Sequence, residues 1–200
     1  MRTALILASA SPRRREMLER IGVPIEVVPA HIDESTRDGE PPDAYVARIA
    51  RAKAAAIARP GRWVLAADTT VTLAGAILGK AASPDEAAAM LRALSGRTHQ
   101  VLTAFVLAGS RDGAPWLHER LVSSDVVMTD FDAAMIDDYV ASGDWRDKAG
   151  AYALQGIGAA LVRAVHGSVT NIVGLPLAEV VAALREVGAP LPAFTAGNPA

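Results

Sequence analysis

Short apolar runs alternate along the chain with longer stretches in which apolar residues recur at helical spacing, a pattern that predicts strands interleaved with helices. Thr3 to Ala8 is the first apolar run. Ser11 as N-cap and Pro12 at the first helical position open a helix directly behind it. Ile25 to Val28 predicts a second short strand, and Pro29 to Asp43 a polar, turn-rich loop. An Ala-rich helix is expected from Pro42 to Ala58, burying Tyr45, Ile49 and Ala52 and stopped by Pro60-Gly61. Trp63 to Ala67 predicts a buried strand that ends at Asp68-Thr69-Thr70. Ser83-Pro84-Asp85-Glu86, with its N-cap, first-position proline and capping-box glutamate, opens the clearest helix, and Gly96 lies just past its end. Gln100 to Ala108 and Trp116 to Met128 predict an antiparallel pair joined by a turn over Gly109 to Gly113. Asp132 is expected to cap a helix ending at Gly143. Ala160 to Val165 and Val169 to Val173 read as strands, and Pro176 to Val187 as a last helix stopped by Gly188.

Alternation of β and α in the first half and hairpin-like pairs in the second predict an α/β fold with a mixed sheet flanked by helices. At 200 residues the chain makes one domain, or two lobes sharing a sheet. With no repeat, linker or low-complexity stretch, that domain is expected over residues 1–190, with 191–200 a loosely held tail. Hydrophobic residues make up 51% of the chain, chiefly Ala, Val and Leu, as in a globular protein. The net charge of −2, with no basic face beyond one arginine run, argues against a general nucleic-acid binder. The absence of cysteine excludes disulfides, thiolate catalysis and Cys-ligated zinc, and suits a reducing compartment. Arg2, the first apolar run and Ala8-Ser9-Ala10 mimic a signal peptide, but the run falls short of the roughly 7 to 15 apolar residues required. No run approaches the ~18 apolar residues of a membrane span. A soluble, cytoplasmic protein is expected.

Arg13, Arg14 and Arg15 crowd the start of the first helix. Each cation there costs roughly 0.3 to 1 kcal/mol against the helix dipole, and the three repel one another. Backbone N–H groups at this strand-to-helix turn, beside Ser9, Ser11 and a guanidinium, suit phosphate oxygens. Because the three arginines fan round the helix, Arg13 is the one expected to meet the ligand, with Arg14 in support and Arg15 solvated. The alternative is a solvated first turn.

Common catalytic signatures are absent. In Gly75-Ala76-Ile77-Leu78-Gly79-Lys80 only three residues separate the glycines and Ala81 replaces the magnesium-binding hydroxyl, so it is no P-loop. Gly156-Ile157-Gly158 lacks the third glycine of a dinucleotide fingerprint. His31, His99, His118 and His166 show no metal-ligand spacing, and no Gly-x-Ser-x-Gly elbow occurs. What remains is Asp68, placed at a strand end where a carboxylate emerges into a cleft able to hold a divalent cation or take a proton from water. The rival reading is a turn-capping Asp, against which Thr69, Thr70 and Lys80 weigh. Glu34, in the polar loop with Asp33, supplies the second carboxylate of a magnesium site; otherwise it only solubilises the loop. Lys80 offers a charge to a phosphate, or is an ordinary surface lysine, and Lys53 amid alanines reads by itself as solvent-exposed. In the Gly-rich segment from Asp147 to Gly156, Gln155 could present a donor and an acceptor to a base edge, or satisfy backbone groups of a tight connection.

Together, Leu7-Ala8-Ser9-Ala10-Ser11-Pro12-Arg13-Arg14, Ala67-Asp68-Thr69, Leu78-Gly79-Lys80, Ser95-Gly96-Arg97-Thr98-His99, Asp147-Lys148-Ala149-Gly150-Ala151-Tyr152 and Asn171-Ile172-Val173-Gly174-Leu175-Pro176 resemble the Maf family of nucleoside triphosphate pyrophosphatases over nearly the whole chain. The resemblance implies an elongated fold of two lobes with a central cleft, related to inosine triphosphatases, and often a homodimer. It implies hydrolysis of a nucleoside triphosphate to the monophosphate and pyrophosphate with a divalent cation, magnesium or manganese, for which Asp68 and Glu34 are the candidate ligands read from the sequence. Asp68 matches the family's proton acceptor. Arg13, Thr69 and Gln155 match positions tied to substrate choice, and Glu34, Lys53 and Lys80 further polar residues of the cleft. Lys148 to Gln155 resembles the subfamily acting on dTTP and UTP more than the one acting on 7-methyl-GTP, although Asp144-Trp145-Arg146 stands where the former carries Glu-Pro. A non-catalytic, nucleotide-binding regulator of cell division is the alternative that the resemblance leaves open.

Overall fold

The computed structural model describes residues 4–111 and 113–189, so the expected tail from 191 lies outside the described residues. Seven strands form one mixed sheet: β1 (Leu5–Leu7), β2 (Ile25–Val27), β3 (Val64–Leu73), β4 (Ala76–Leu78), β5 (Thr98–Arg111), β6 (Ala114–Met128) and β7 (Val162–His166). Their order is β2-β1-β3-β5-β6-β7, with β4 folded back on β3. β1 lies parallel to β2 and β3, while the β3–β5, β5–β6 and β6–β7 pairs are antiparallel. The α/β mixed sheet flanked by helices is therefore as the patterning predicts.

Period-2 alternation sends the two faces of β3 into different apolar clusters. Val64 and Ala66 pack with Val46, Ala50 and Ala54 of α2 (Pro42–Ile57). Leu65 and Ala67 pack with Met17 and Leu18 of α1 (Pro12–Arg20) and Val180, Ala183 and Leu184 of α6 (Leu177–Glu186). A third cluster joins the far end of the β5–β6 hairpin to α3 (Pro84–Leu94) and α4 (Ala133–Ser142). Ser11 stands at the N-cap of α1 without a side-chain cap bond, whereas the caps of α3 and α4 behave as the sequence predicts. Ser83 Oγ accepts from the Glu86 N–H, Glu86 reaches back to the Ala82 N–H, and Asp132 accepts from Met135 N–H while Gly143 ends α4 in the left-handed conformation. No described helix is long and apolar enough to cross a membrane.

Three expectations are corrected. The buried face of α2 carries Val46, Ile49, Ala50, Lys53 and Ala54 rather than Tyr45 and Ala52, which are only partly covered. Val169–Val173 is a short helix, α5, not a strand: Ser168 Oγ accepts from the Asn171 N–H, and this cap with the burial of Asn171 overrides the β-branched composition. The strand expected over Ala160 to Val165 begins only at Val162, after a 3-10 turn over Gly156–Leu161.

A fourth correction places the site. β3 does not end at Asp68 but runs on to Leu73, carried by a ladder to β5 that extends to Thr72↔Gln100. β1 is much shorter, pairing with β3 only through Ile6↔Val64 and Leu7↔Leu65, and β4 takes up the same edge only from Val71. Ala66 to Thr70 therefore lack a strand on that side. The sheet opens a notch there, and Asp68 and Thr69 sit in it on opposite faces.

Candidate active site

Beside the notch lies a cavity of about 740 Å³, lined among others by Ser9, Arg13, Glu34, Lys53, Asp68, Thr69, Lys80, Lys148 and Gln155. Ser11 and Arg14 line it too, so the candidate site residues named from the sequence share this one space, while Arg15 and Asp33 stand outside its lining. Cationic side chains outnumber carboxylates along its wall, Arg13, Arg14, Lys53, Lys80 and Lys148 against Glu34, Asp68 and Asp147, so the field suits a polyanion.

Lys53 is 7% exposed and Asp68 6%, which overturns the solvated reading of Lys53. Its Nζ lies 2.8 Å from Asp68 Oδ1 and 2.9 Å from Glu34 Oε1, so the ammonium holds two carboxylates together at one point. The long loop that brings Glu34 there is pinned by α2: Tyr45 Oη donates to the Glu34 carbonyl at 3.0 Å, and Arg48 bonds both Glu40 oxygens and the Ser35 carbonyl. Burial pushes the Asp68 carboxyl above the usual range, against the pull of Lys53 and Arg14. Burial, with Asp68 and Glu34 nearby, likewise pushes the Tyr45 phenol up to about 12.

The arginine triplet divides its work by helical phase. Arg15 is exposed and pairs with Glu19 one turn on. Arg14 points inward and uses four of the five guanidinium N–H donors: Nε donates to the Gly174 carbonyl at 2.7 Å, Nη1 to Ser9 Oγ at 3.1 Å and Ala67 O at 2.9 Å, and Nη2 to Thr69 Oγ1 at 3.0 Å. It thus takes a carbonyl left open by the notch and ties β1, β3 and α5 together. Arg13, half-exposed on the cavity wall, has neither an ion pair nor a hydrogen bond among the described residues. Ser9 Oγ accepts from Arg14 and from the Ser11 N–H, which leaves its own proton for a ligand.

Lys80 is exposed, and its backbone bridges to Ala149. The Gly150 N–H bonds the Leu78 and Gly79 carbonyls, and a Cβ at Gly150 would meet Val71 at 3.0 Å, so only glycine fits this approach. Asp147 and Ala151 adopt φ of 60° and 56°, each at a cost on the order of 1 kcal/mol or more that the flanking bonds offset. Lys148 leans on Asp144 at 3.3 Å, and Gln155 is exposed on the cavity wall. Trp145, where the resemblance departs from its pattern, is buried and donates Nε1–H to the Val140 carbonyl.

Sequence reasoning missed the support beneath these groups. Tyr152 Oη and His99 Nε2 lie 2.8 Å apart, tying the 147–156 loop to β5. His99 is 2% exposed, and burial lowers its pKa from 6.5 to about 4. Between those values the unfolded chain binds a proton that the native state refuses, so stability is lost as pH falls from about 6.5 towards 4. Urea midpoints measured across that range should show the loss, and His99→Gln should flatten it. Thr103 and Asn171, both fully buried, were also unassigned. For Asn171 the signal was the motif around it; for Thr103 there was none.

Glu34 and Asp68 are hard oxygen donors converging on one point, and no group of three or more His, Cys, Asp or Glu side chains able to hold a metal occurs among the described residues. A divalent cation would take these two carboxylates as ligands only by sharing them with the Lys53 ammonium on which they meet.

A family model described as Maf-like protein matches residues 4–187. A dTTP/UTP pyrophosphatase of Anaeromyxobacter dehalogenans strain 2CP-1 is 50% identical over 192 residues, 96% of this chain and 98% of the relative. Its counterparts in Myxococcus xanthus and Chromobacterium violaceum are 49% and 45% identical, covering 95% of this chain and 95% and 98% of their own lengths. The solved structure of the Staphylococcus aureus Ham1 protein aligns with 62% of this chain and 72% of its own at a TM-score of 0.40 and 16% identity.

Proposed function

Since the chain belongs to the Maf-like family, we propose that it hydrolyses dTTP and UTP between the α- and β-phosphates, releasing the monophosphate and pyrophosphate, as the names of its relatives state for them. The observation that carries this reading is the meeting of Asp68 and Glu34 on Lys53, inside a cation-lined cavity large enough for a nucleotide.

Asp68, with its carboxyl pushed up by burial, accepts the proton of the water that attacks the α-phosphorus. Lys53 holds Asp68 and Glu34 in place. Arg13 and Lys80 bind phosphate oxygens and neutralise charge developing on the departing pyrophosphate. Ser9 donates its free proton to a phosphate, and Gln155 presents its amide to the base. A magnesium or manganese ion held by Glu34 and Asp68 supplies further neutralisation of the phosphates when bound. The proposal extends to a cytoplasmic, house-cleaning role on free nucleotides, to a homodimer, and to a two-lobed domain over residues 1–190.

Pyrophosphate release measured in parallel from UTP, dTTP, CTP, 7-methyl-GTP and ITP should be fastest with UTP and dTTP. Release from none of them, with binding retained, would turn the reading towards a nucleotide-binding regulator. Arg13→Ala and Lys80→Ala should each lower kcat/KM by roughly 10 to 100-fold, the worth of one hydrogen bond to a charged group. Titrating rate against substrate checks this, and an unchanged kcat/KM removes that residue from the phosphate site.

A further inference from the structure

Thr69 and Thr103 are directly opposite on β3 and β5, and their hydroxyl oxygens lie 2.9 Å apart. Which of them donates follows from their other partners. Arg14 Nη2–H can only donate, so Thr69 Oγ1 accepts from it. The Asn171 carbonyl can only accept; it takes the Gly174 N–H at 2.9 Å, and its second lone pair serves Thr103 Oγ1, 3.1 Å away. With the single Thr103 proton on that carbonyl, Thr69 must donate to Thr103. The other arrangement turns the Thr103 proton onto Thr69 and sends the Thr69 proton to the Gly174 carbonyl, 3.4 Å away and already holding Arg14 Nε at 2.7 Å. That bond is the poorer one. In both of these the Thr69 proton points into the protein; turning it to the cavity instead would require the Thr103 proton on Thr69 and would take the Thr103 donor from the Asn171 carbonyl. In the favoured one a single lone pair of Oγ1 remains, and Thr69 lines the cavity.

The Asn171 carbonyl is itself held in place. Asn171 Nδ2 donates to the Val101 carbonyl at 2.9 Å and to Ser124 Oγ at 3.0 Å, and α5 is capped by Ser168. The relay from Asn171 through Thr103 to Thr69 is fully buried at its first two members.

We propose that Thr103 is a positioning residue that fixes the Thr69 hydroxyl as an acceptor towards the nucleotide, so that Thr69 selects a ligand N–H or O–H. This inference rests on the reading that the cavity takes a pyrimidine nucleotide. The matching donor is the N3–H of uracil or thymine, which cytosine replaces with a bare acceptor, or a sugar hydroxyl. Ser9 has the opposite polarity, with its proton free, so the two hydroxyls nearest Arg14 sort donors from acceptors on the bound nucleotide.

The test is binding, kept separate from turnover by α,β-imido analogues. Wild-type protein should bind the uridine analogue about tenfold more tightly than the cytidine analogue, or the thymidine analogue about tenfold more tightly than its 2′,3′-dideoxy form. The first result identifies the base as the donor, the second the sugar. Thr103→Val removes the nearer inward acceptor and leaves the Thr69 proton only the long bond to the Gly174 carbonyl at 3.4 Å, so the proton turns to the ligand and the selective ratio should fall towards one; Thr103→Ala should do the same, and Thr103→Ser should retain the ratio. A structural role alone would weaken all analogues equally. Equal weakening, an unchanged ratio, or a wild-type protein indifferent in both pairs overturns the inference. Selective binding without hydrolysis of UTP or dTTP would overturn the proposed activity and leave this inference standing.

Discussion

Asp68→Asn is expected to lower kcat about 10³-fold while leaving the unfolding midpoint at neutral pH unchanged or raised. The turnover loss follows from removing the one buried carboxylate among the described residues of the notch, a proton-accepting role that contributes roughly 10² to 10⁴. The stability prediction follows from linkage. Burial outweighs the attraction of Lys53 and Arg14, so the folded Asp68 holds its proton to higher pH than the unfolded chain does. The stability it contributes is present below the unfolded value of 3.8 and lost as pH rises through the folded one. At neutral pH the ionised carboxylate detracts from stability, and the neutral isostere relieves it. For the same reason, wild-type kcat/KM should fall on acidification through a pKa above the ordinary carboxylate range. Steady-state kinetics and urea unfolding on the same preparation read both effects. Near-normal turnover of the Asn variant would sink the assignment of Asp68.

Arg14→Met should destabilise the fold by about 3 to 5 kcal/mol, the cost of breaking a buried charged network, and remove activity with it. The change strips donors from the Ala67 and Gly174 carbonyls in the interior, each worth about 1 to 3 kcal/mol when left unsatisfied. It also releases Ser9 and Thr69. Arg14→Lys should rescue little, because one ammonium cannot span acceptors on β1, β3 and the turn after α5 as the planar fork does. Urea unfolding decides the matter. A loss below about 1 kcal/mol would mean that the guanidinium serves a ligand rather than the fold.

The triplet that contains Arg14 shows how far sequence reasoning reaches. Three cations at a helix start point to an anion, and helical phase says that not all three can face it. Which of them turns inward depends on where α1 lands on the sheet, because Arg14 bonds Gly174, 160 positions away, and Ala67, 53 away. Lys53 is a sharper case. Among alanines on a helix it looks solvated, and only the packing of α2 on β3 shows that it is buried between two carboxylates.

By itself the sequence determined the local elements: the capped start of α3, the capped and Gly-terminated α4, the antiparallel pairing of β5 and β6, although the ladder runs on through the expected turn to Arg111↔Ala114, and the motifs that mark the family. These depend on contacts within a few residues, which the chain carries wherever it folds. Only the tertiary structure decided that β3 continues past Asp68 beside a β1 too short to cover it, that Val169–Val173 coils, and that the Thr69 and Thr103 hydroxyls meet across the ladder. Each depends on partners distant in sequence, and propensity yields to burial and hydrogen-bond satisfaction where such partners meet.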